Sequence, residues 1–190
     1  MADDNTFISF QTVAVADNPV PVFNDVIQYW EKRRGTAFAP PWHAVDLLEF
    51  PSELLPYCIV VDLHEADDKV SYRYFGSGIA ELHGFELTNR TSDSIEPPEL
   101  RDHIIRQYRS VAEAREPQFF ATELVVKRDI KLQHFMLRLP LSNDGKAVTN
   151  IITFENFEDH REALHEYYSE MAKRSEGYLS ESFDQFETAN

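Results

Sequence analysis

A chain of 190 residues with 43% hydrophobic and 13% aromatic side chains has enough apolar surface for one well-packed core, which excludes a disordered chain. Its formal net charge of −15 repels phosphate backbones and anionic lipid, so nucleic acid and membrane surfaces are excluded as partners and the charge supplies solubility. A single cysteine, Cys58, excludes an intrachain disulfide and fits a reducing cytoplasm, while the acidic start Met-Ala-Asp-Asp-Asn is no signal peptide and no apolar run is long enough to span a membrane.

Residues 1–17 alternate only weakly, through Phe7, Phe10, Val13 and Val15, and read as a loose N-terminal arm. Asn18-Pro19 reads as a helix start, with asparagine capping and proline in the first turn. Val22, Phe23, Val26, Ile27 and Trp30 then share one helical face, Arg33 and Arg34 sit at the negative end, and Gly35 stops the helix. Such a helix needs an apolar surface to cover, and the outer face of a sheet is the candidate. Pro40, Pro41, Pro51 and Pro56 forbid long regular elements over 36–56, leaving single turns at 45–48 and 52–55, with Trp42 and Phe50 as anchors.

Residues 57–63, rich in β-branched side chains, read as the first strand, and the turn at 66–69 makes a hairpin with a second strand over 70–75. In that second strand Val70, Tyr72 and Tyr74 alternate with Ser71, Arg73 and Phe75. Gly76 and Gly78 end the extended run by permitting unusual backbone angles, Ile79, Ala80, Leu82 and His83 supply about one helical turn, and Gly84 provides a left-handed cap. Asn89 is a turn residue suited to positive φ.

Residues 94–98 introduce a longer helix with Glu96, Glu99 and Asp102 at its positive end; Leu100, Ile104, Tyr108, Val111 and Ala112 form its buried stripe, and Pro117 ends it. Three more strands follow at 119–127, 132–141 and 148–154, with a turn at 142–145. In the middle one, Phe135, Leu137, Leu139 and Leu141 occupy one face, and His134, Met136 and Arg138 the other. This element order implies an α+β domain over 18–155, one antiparallel sheet with helices packed on it. Residues 156–190 read as a C-terminal helical extension whose first helix, 156–174, carries a narrow seam of Phe157, Leu164, Tyr168 and Met171, continued after Gly177 by Leu179, Phe183 and Phe186. The seam suits half of a helix pair in a homodimer, or a helix folded back on its own sheet.

The pattern Tyr72-Arg73-x-x-Gly76-x-x-Ile79-x-Glu81-Leu82-x-Gly84-x-Glu86-Leu87-Thr88-x-Arg90 resembles a family of bacterial PAS-like sensory domains. The upstream residues Tyr29-Trp30-x-x-Arg33-x-Gly35, Pro40 and Leu54-Leu55-Pro56 carry the resemblance further, so that it covers residues 25–155. The family commonly has glycine where Asn89 stands, and asparagine is the mildest replacement at a left-handed position. The resemblance implies a five-stranded antiparallel sheet with helices on one face, plus flanking helices at both ends. It further implies a stand-alone sensory or signalling module that binds a small organic ligand and signals through its flanking helices to a separate partner. The alternative is a ligand-free interaction or dimerisation module.

An enzyme ranks last, because the chemistry such a role requires is missing from the sequence. Gly76-Ser77-Gly78 opens like a dinucleotide fingerprint, but Glu81 stands at the third glycine position and repels pyrophosphate. His64-Glu65 begins a zincin motif in which Asp68 replaces the second histidine, and His160 and His165 do not share a helical face. Cys58 has no histidine beside it and reads as a packed thiol. Among the family's cofactors, light-sensing flavin chemistry requires a cysteine that 79–87 lacks, and haem would use a histidine such as His103, a position more often filled by a packed residue. No cofactor is assigned. A small organic ligand between sheet and helices is expected to meet Tyr74, His83, His103, Gln107, Phe120, Phe135, Leu137 and Ile152, and Arg73 is read as a structural ion-pair residue on the face opposite Tyr74.

Overall fold

The computed structural model describes residues 7–64, 69–96, 98–126 and 130–157, together with Glu162 and His165. Six strands form one antiparallel sheet: β1 (Phe7–Val13), β2 (Cys58–Leu63), β3 (Val70–Phe75), β4 (Gln118–Val126), β5 (Ile130–Leu141) and β6 (Asn150–Asn156). They lie side by side in the order β1-β4-β5-β6-β2-β3. Helices α1 (Phe23–Arg34), α2 (Ser77–His83) and α3 (Pro98–Ala114) accompany them, and the proline-rich crossing before β2 holds three short 3-10 turns. The turn at 66–69 lies outside the described residues apart from Lys69. So do Leu164, Tyr168, Met171, Leu179, Phe183 and Phe186 of the expected C-terminal seam.

One strand goes beyond the five expected. Residues 7–13, expected within a loose arm, pair along β4 from Phe7 opposite Val125 to Val13 opposite Phe119. Short, weakly alternating segments form strands where a partner edge offers hydrogen bonds, and a sequence window does not contain that edge.

Helix α1 covers one face of the sheet. Its buried Phe23, Val26 and Trp30 pack with Val60, Phe119, Leu137, Leu139, Ile152 and Phe154, and the Trp30 indole donates to the carbonyl of Pro140 at 2.8 Å. The helix begins at Phe23, later than Asn18-Pro19 suggests. The Asn18 amide is engaged in a local turn instead, accepting from the Val20 N–H and donating to the Val20 carbonyl, each at 2.9 Å. Gly35, at φ +55°, closes the helix as expected.

Helices α2 and α3 cover the opposite face, where Leu100, Tyr108 and Val111 join Ile59, Val61, Tyr72, Phe75, Phe120, Met136 and Ile151. Phe157, expected as the first residue of the C-terminal seam, is buried in this chain's own core, its ring 5.1 Å from that of His134.

The motif around β3 has a structural account. Gly76 has an ordinary φ of −60°; what it supplies is closeness, because a Cβ there would lie 2.3 Å from the Pro56 carbonyl oxygen. Gly84 is the left-handed cap expected, at φ +77°, its N–H bonded to the Ala80 carbonyl. Asn89 takes φ +63°, and its turn lays the following residues along the open edge of β3 through Asn89 N–H to Tyr72 O (2.7 Å) and Tyr72 N–H to Arg90 O (2.8 Å). Arg73 forms a bidentate ion pair with Asp62 at 2.9 Å, the structural role expected for it.

Between Val60 and Val61 the β2–β3 register slips: Val60 pairs with Tyr74 and Val61 with Tyr72, leaving Arg73 as the extra residue of a bulge. Simple alternation puts Tyr72 and Tyr74 on one face. The bulge sends Tyr72 and Phe75 to the α3 face and Tyr74 to the α1 face.

Candidate functional site

The α3 face of the sheet is only partly apolar. Because successive strand side chains alternate, the β5 residues His134, Met136 and Arg138 all point toward α3. Antiparallel register brings Thr122 of β4 opposite His134, Phe120 and Glu155 to either side of Met136, and Thr153 of β6 opposite Arg138. Helix α3 adds His103 and Gln107, four residues apart on one helical face, and α2 adds His83. A cavity of about 50 Å³ lies among these groups, walled also by Tyr72, Leu100 and Tyr108.

Arg138 is the centre of this wall and only 2% exposed. Its Nη1 donates to Thr153 Oγ1 at 3.0 Å, its Nη2 donates to Gln107 Oε1 at 2.7 Å and touches the Met136 sulfur at 3.7 Å, and the Tyr108 ring lies 4.0 Å beneath its Cζ. Gln107 in turn donates to His103 Nε2 at 3.2 Å, which fixes the neutral His103 ring with its proton on Nδ1. Three buried polar atoms of the wall have no protein hydrogen-bond partner: Arg138 Nε, Thr122 Oγ1 and His134 Nδ1. Each such atom costs about 1–3 kcal/mol if left unsatisfied, a demand that an ordered water or another polar group in the cavity would meet.

Burial sets the charge states. It pushes His83 and His134 down to about 3 and His103 down to about 4, the Arg138 charge adding to the effect at His134 and His103, so all three rings are neutral near pH 7. Burial pushes the Glu155 carboxyl up to about 7, against the opposing pull of Arg138. Arg138 is therefore the cavity's permanent cation, and Glu155 titrates around neutrality.

Of the residues expected to meet a ligand, the structure brings His83, His103 and Gln107 to this cavity. His83 is half-buried overall, with its Nε2 shielded from solvent between Phe75 and Phe85. Phe120 packs in the same layer, 5.8 Å from the Arg138 guanidinium. Tyr74, Phe135, Leu137 and Ile152 lie on the other face, against α1, away from the cavity. The bulge accounts for Tyr74, whose hydroxyl donates to the Leu55 carbonyl, and strand alternation accounts for the other three. Sequence reasoning passed over Thr122, His134, Arg138, Thr153 and Glu155. Their signal was legible: polar side chains recurring every second residue inside otherwise apolar strands.

Haem does not fit here. His103 Nε2, the unprotonated ring nitrogen that would ligate iron, already accepts from Gln107, and the cavity is far below the roughly 300–1,000 Å³ of sites for drug-sized molecules. Among the described residues no helix is long and apolar enough to cross a membrane.

A family model described as PAS domain matches residues 20–153. No curated protein matches the chain. Among solved structures the chain is similar to one titled "Structure of an RNA-binding Light-Oxygen-Voltage Receptor", at 13% identity and a TM-score of 0.37, over 93% of this chain and 45% of that one. The chain thus spans less than half the length of that receptor. With a family match that runs from before α1 almost to the end of β6, well over half of its 190 residues, this chain belongs to the PAS domain family.

Proposed function

We propose that the chain is a sensory module. A small organic molecule enters the cavity between α3 and the sheet, and its binding shifts how the flanking segments pair with a second copy of the chain or with a separate signalling protein in the cytoplasm. The observation that carries the reading is the wall itself, with three buried polar atoms left without protein partners beside the cavity. Output works by population shift: a ligand moves the equilibrium only as far as it binds one arrangement better than the other. Family membership supports the sensory role in general terms, and the cavity supports the ligand.

Native mass spectrometry of the full chain, before and after incubation with a metabolite extract, tests this. A retained or acquired small molecule is expected, and its loss is expected in Met136→Phe, which fills the space. A bare polypeptide mass in every preparation overturns the reading and leaves the ligand-free interaction module. The small cavity volume favours that second reading, and the same spectrum reports subunit number for both.

A further inference from the structure

The cavity wall discriminates by charge as well as by shape. Its one permanent charge is the Arg138 guanidinium, with both Nη groups engaged by protein and Nε left over. The guanidinium reaches the Met136 sulfur, and one step further along the ladder stands the Thr122–His134 pair, whose Oγ1 and Nδ1 also lack partners. Arg138, Thr122 and His134 are 2%, 4% and 6% exposed, so bulk solvent screens them little. A neutral occupant would leave the cation uncompensated in a water-poor site, whereas a carboxylate compensates it and accepts from Nε. A water-sized position takes about 10–15 Å³, so about 50 Å³ admits a molecule of roughly four non-hydrogen atoms.

We infer that the cavity takes a small monocarboxylate of acetate's size, its carboxylate accepting from Arg138 Nε. This rests on the reading of the cavity as the ligand site, and it names the ligand's class. Glu155 is the carboxylate already in the wall. When ionised it competes with the ligand for the same guanidinium; when protonated it does not. Binding is therefore coupled to proton uptake at Glu155 and weakens as pH rises through neutrality, by up to about tenfold per pH unit. The other titratable or charged groups lining the cavity with Glu155 are His103 and Tyr108 of α3, His83 of α2, Tyr72 of β3, and His134 and Arg138 of β5; burial keeps the three histidines neutral and the Tyr72 hydroxyl protonated near pH 7.

Isothermal titration of the full chain with acetate and with its neutral isostere acetamide, at about pH 6 and about pH 8, tests the inference. Saturable acetate binding in the millimolar range or tighter is expected, with acetamide at least about tenfold weaker. Acetate binding should weaken at the higher pH in the wild type and hold steady in Glu155→Gln. Arg138→Met should abolish it and Arg138→Lys should retain part. Equal binding of acetamide, acetate binding undiminished in a folded Arg138→Met chain, or no saturable acetate binding each overturn the carboxylate assignment. Should Arg138→Met fail to fold, the acetate-to-acetamide contrast decides alone. If carboxylates fail while mass spectrometry still finds another molecule retained, the class is wrong and the sensory reading stands; if neither is found, both fall.

Discussion

Glu155 is the residue whose environment makes the sharpest demand on stability. Its carboxyl ordinarily titrates at 4.5 and is held at about 7 in the fold, chiefly by burial. A raised carboxyl value means the folded state holds the proton more tightly than the unfolded chain. The associated stability is full below about pH 4.5, falls as pH rises toward 7, and is gone above it; the displacement corresponds to about 3 kcal/mol as an upper estimate. His83, His103 and His134 act in the opposite sense. Their folded values lie below the ordinary 6.5, so the stability they contribute is lost as pH falls below 6.5. Three groups outweigh one, so the wild type is expected to lose stability on acidification. Glu155→Gln is expected to be more stable than wild type at pH 8 by up to about 3 kcal/mol, to converge with it near pH 4.5, and to fall more steeply between. Urea unfolding midpoints across that range check this, and a variant less stable than wild type at pH 8 would show that ionised Glu155 stabilises the fold through Arg138.

At the scale of elements, what was legible in the sequence is what depends on local pattern. The faces of β5, the stripe of α3, the stop at Gly35 and the cap at Gly84 follow from periods of two and 3.6 and from glycine's conformational freedom. What depends on a partner was not legible. The bulge at Arg73 exists only in the pairing of β2 with β3, and it moves Tyr74 to the other face. The expected ligand residues fall on both faces for a related reason: apolar Phe135, Leu137 and Ile152 look like pocket walls, yet they pack in the layer under α1, while the half-polar face carries the cavity beside α3. Strand β1 depends on a partner in the same way, and it gives a prediction. It covers the edge of β4 over seven residue pairs, so removing residues 1–13 exposes that edge to pairing with other copies. The truncated chain is expected to self-associate in sedimentation velocity at concentrations where the full chain keeps its own subunit number. An unchanged sedimentation coefficient, scaled for mass, would mean β1 is dispensable as an edge cover.

Over the whole molecule, the two faces of the sheet differ in how they are packed. The α1 face is closed by ring-on-ring packing: Tyr29 on Phe50 at 4.5 Å, Phe50 on Phe154 at 4.9 Å, and Phe119 on Phe135 at 5.6 Å. Packing of that kind opens only with large parts of the fold. The α3 face holds a cavity, neutral buried histidines, a cation and a titrating acid, and α3 is the helix that covers them. Helix α3 lines the cavity with His103, Ile104, Gln107 and Tyr108 of its middle turns, so an occupant would add contacts there. Ligand that binds only the closed state slows local opening by a factor set by its concentration relative to its dissociation constant. Acetate at ten times that constant is therefore expected to slow amide exchange about tenfold across the middle turns of α3, around Ile104 to Tyr108, and on the facing part of β5. Exchange in α1 is expected to change little, because α1 packs on the sheet face away from the cavity. Hydrogen exchange read by mass spectrometry separates the outcomes: protection confined to α3 and β5 locates the responsive element, and equal protection of α1 means that the two faces open as one unit and that α3 is no independent switch.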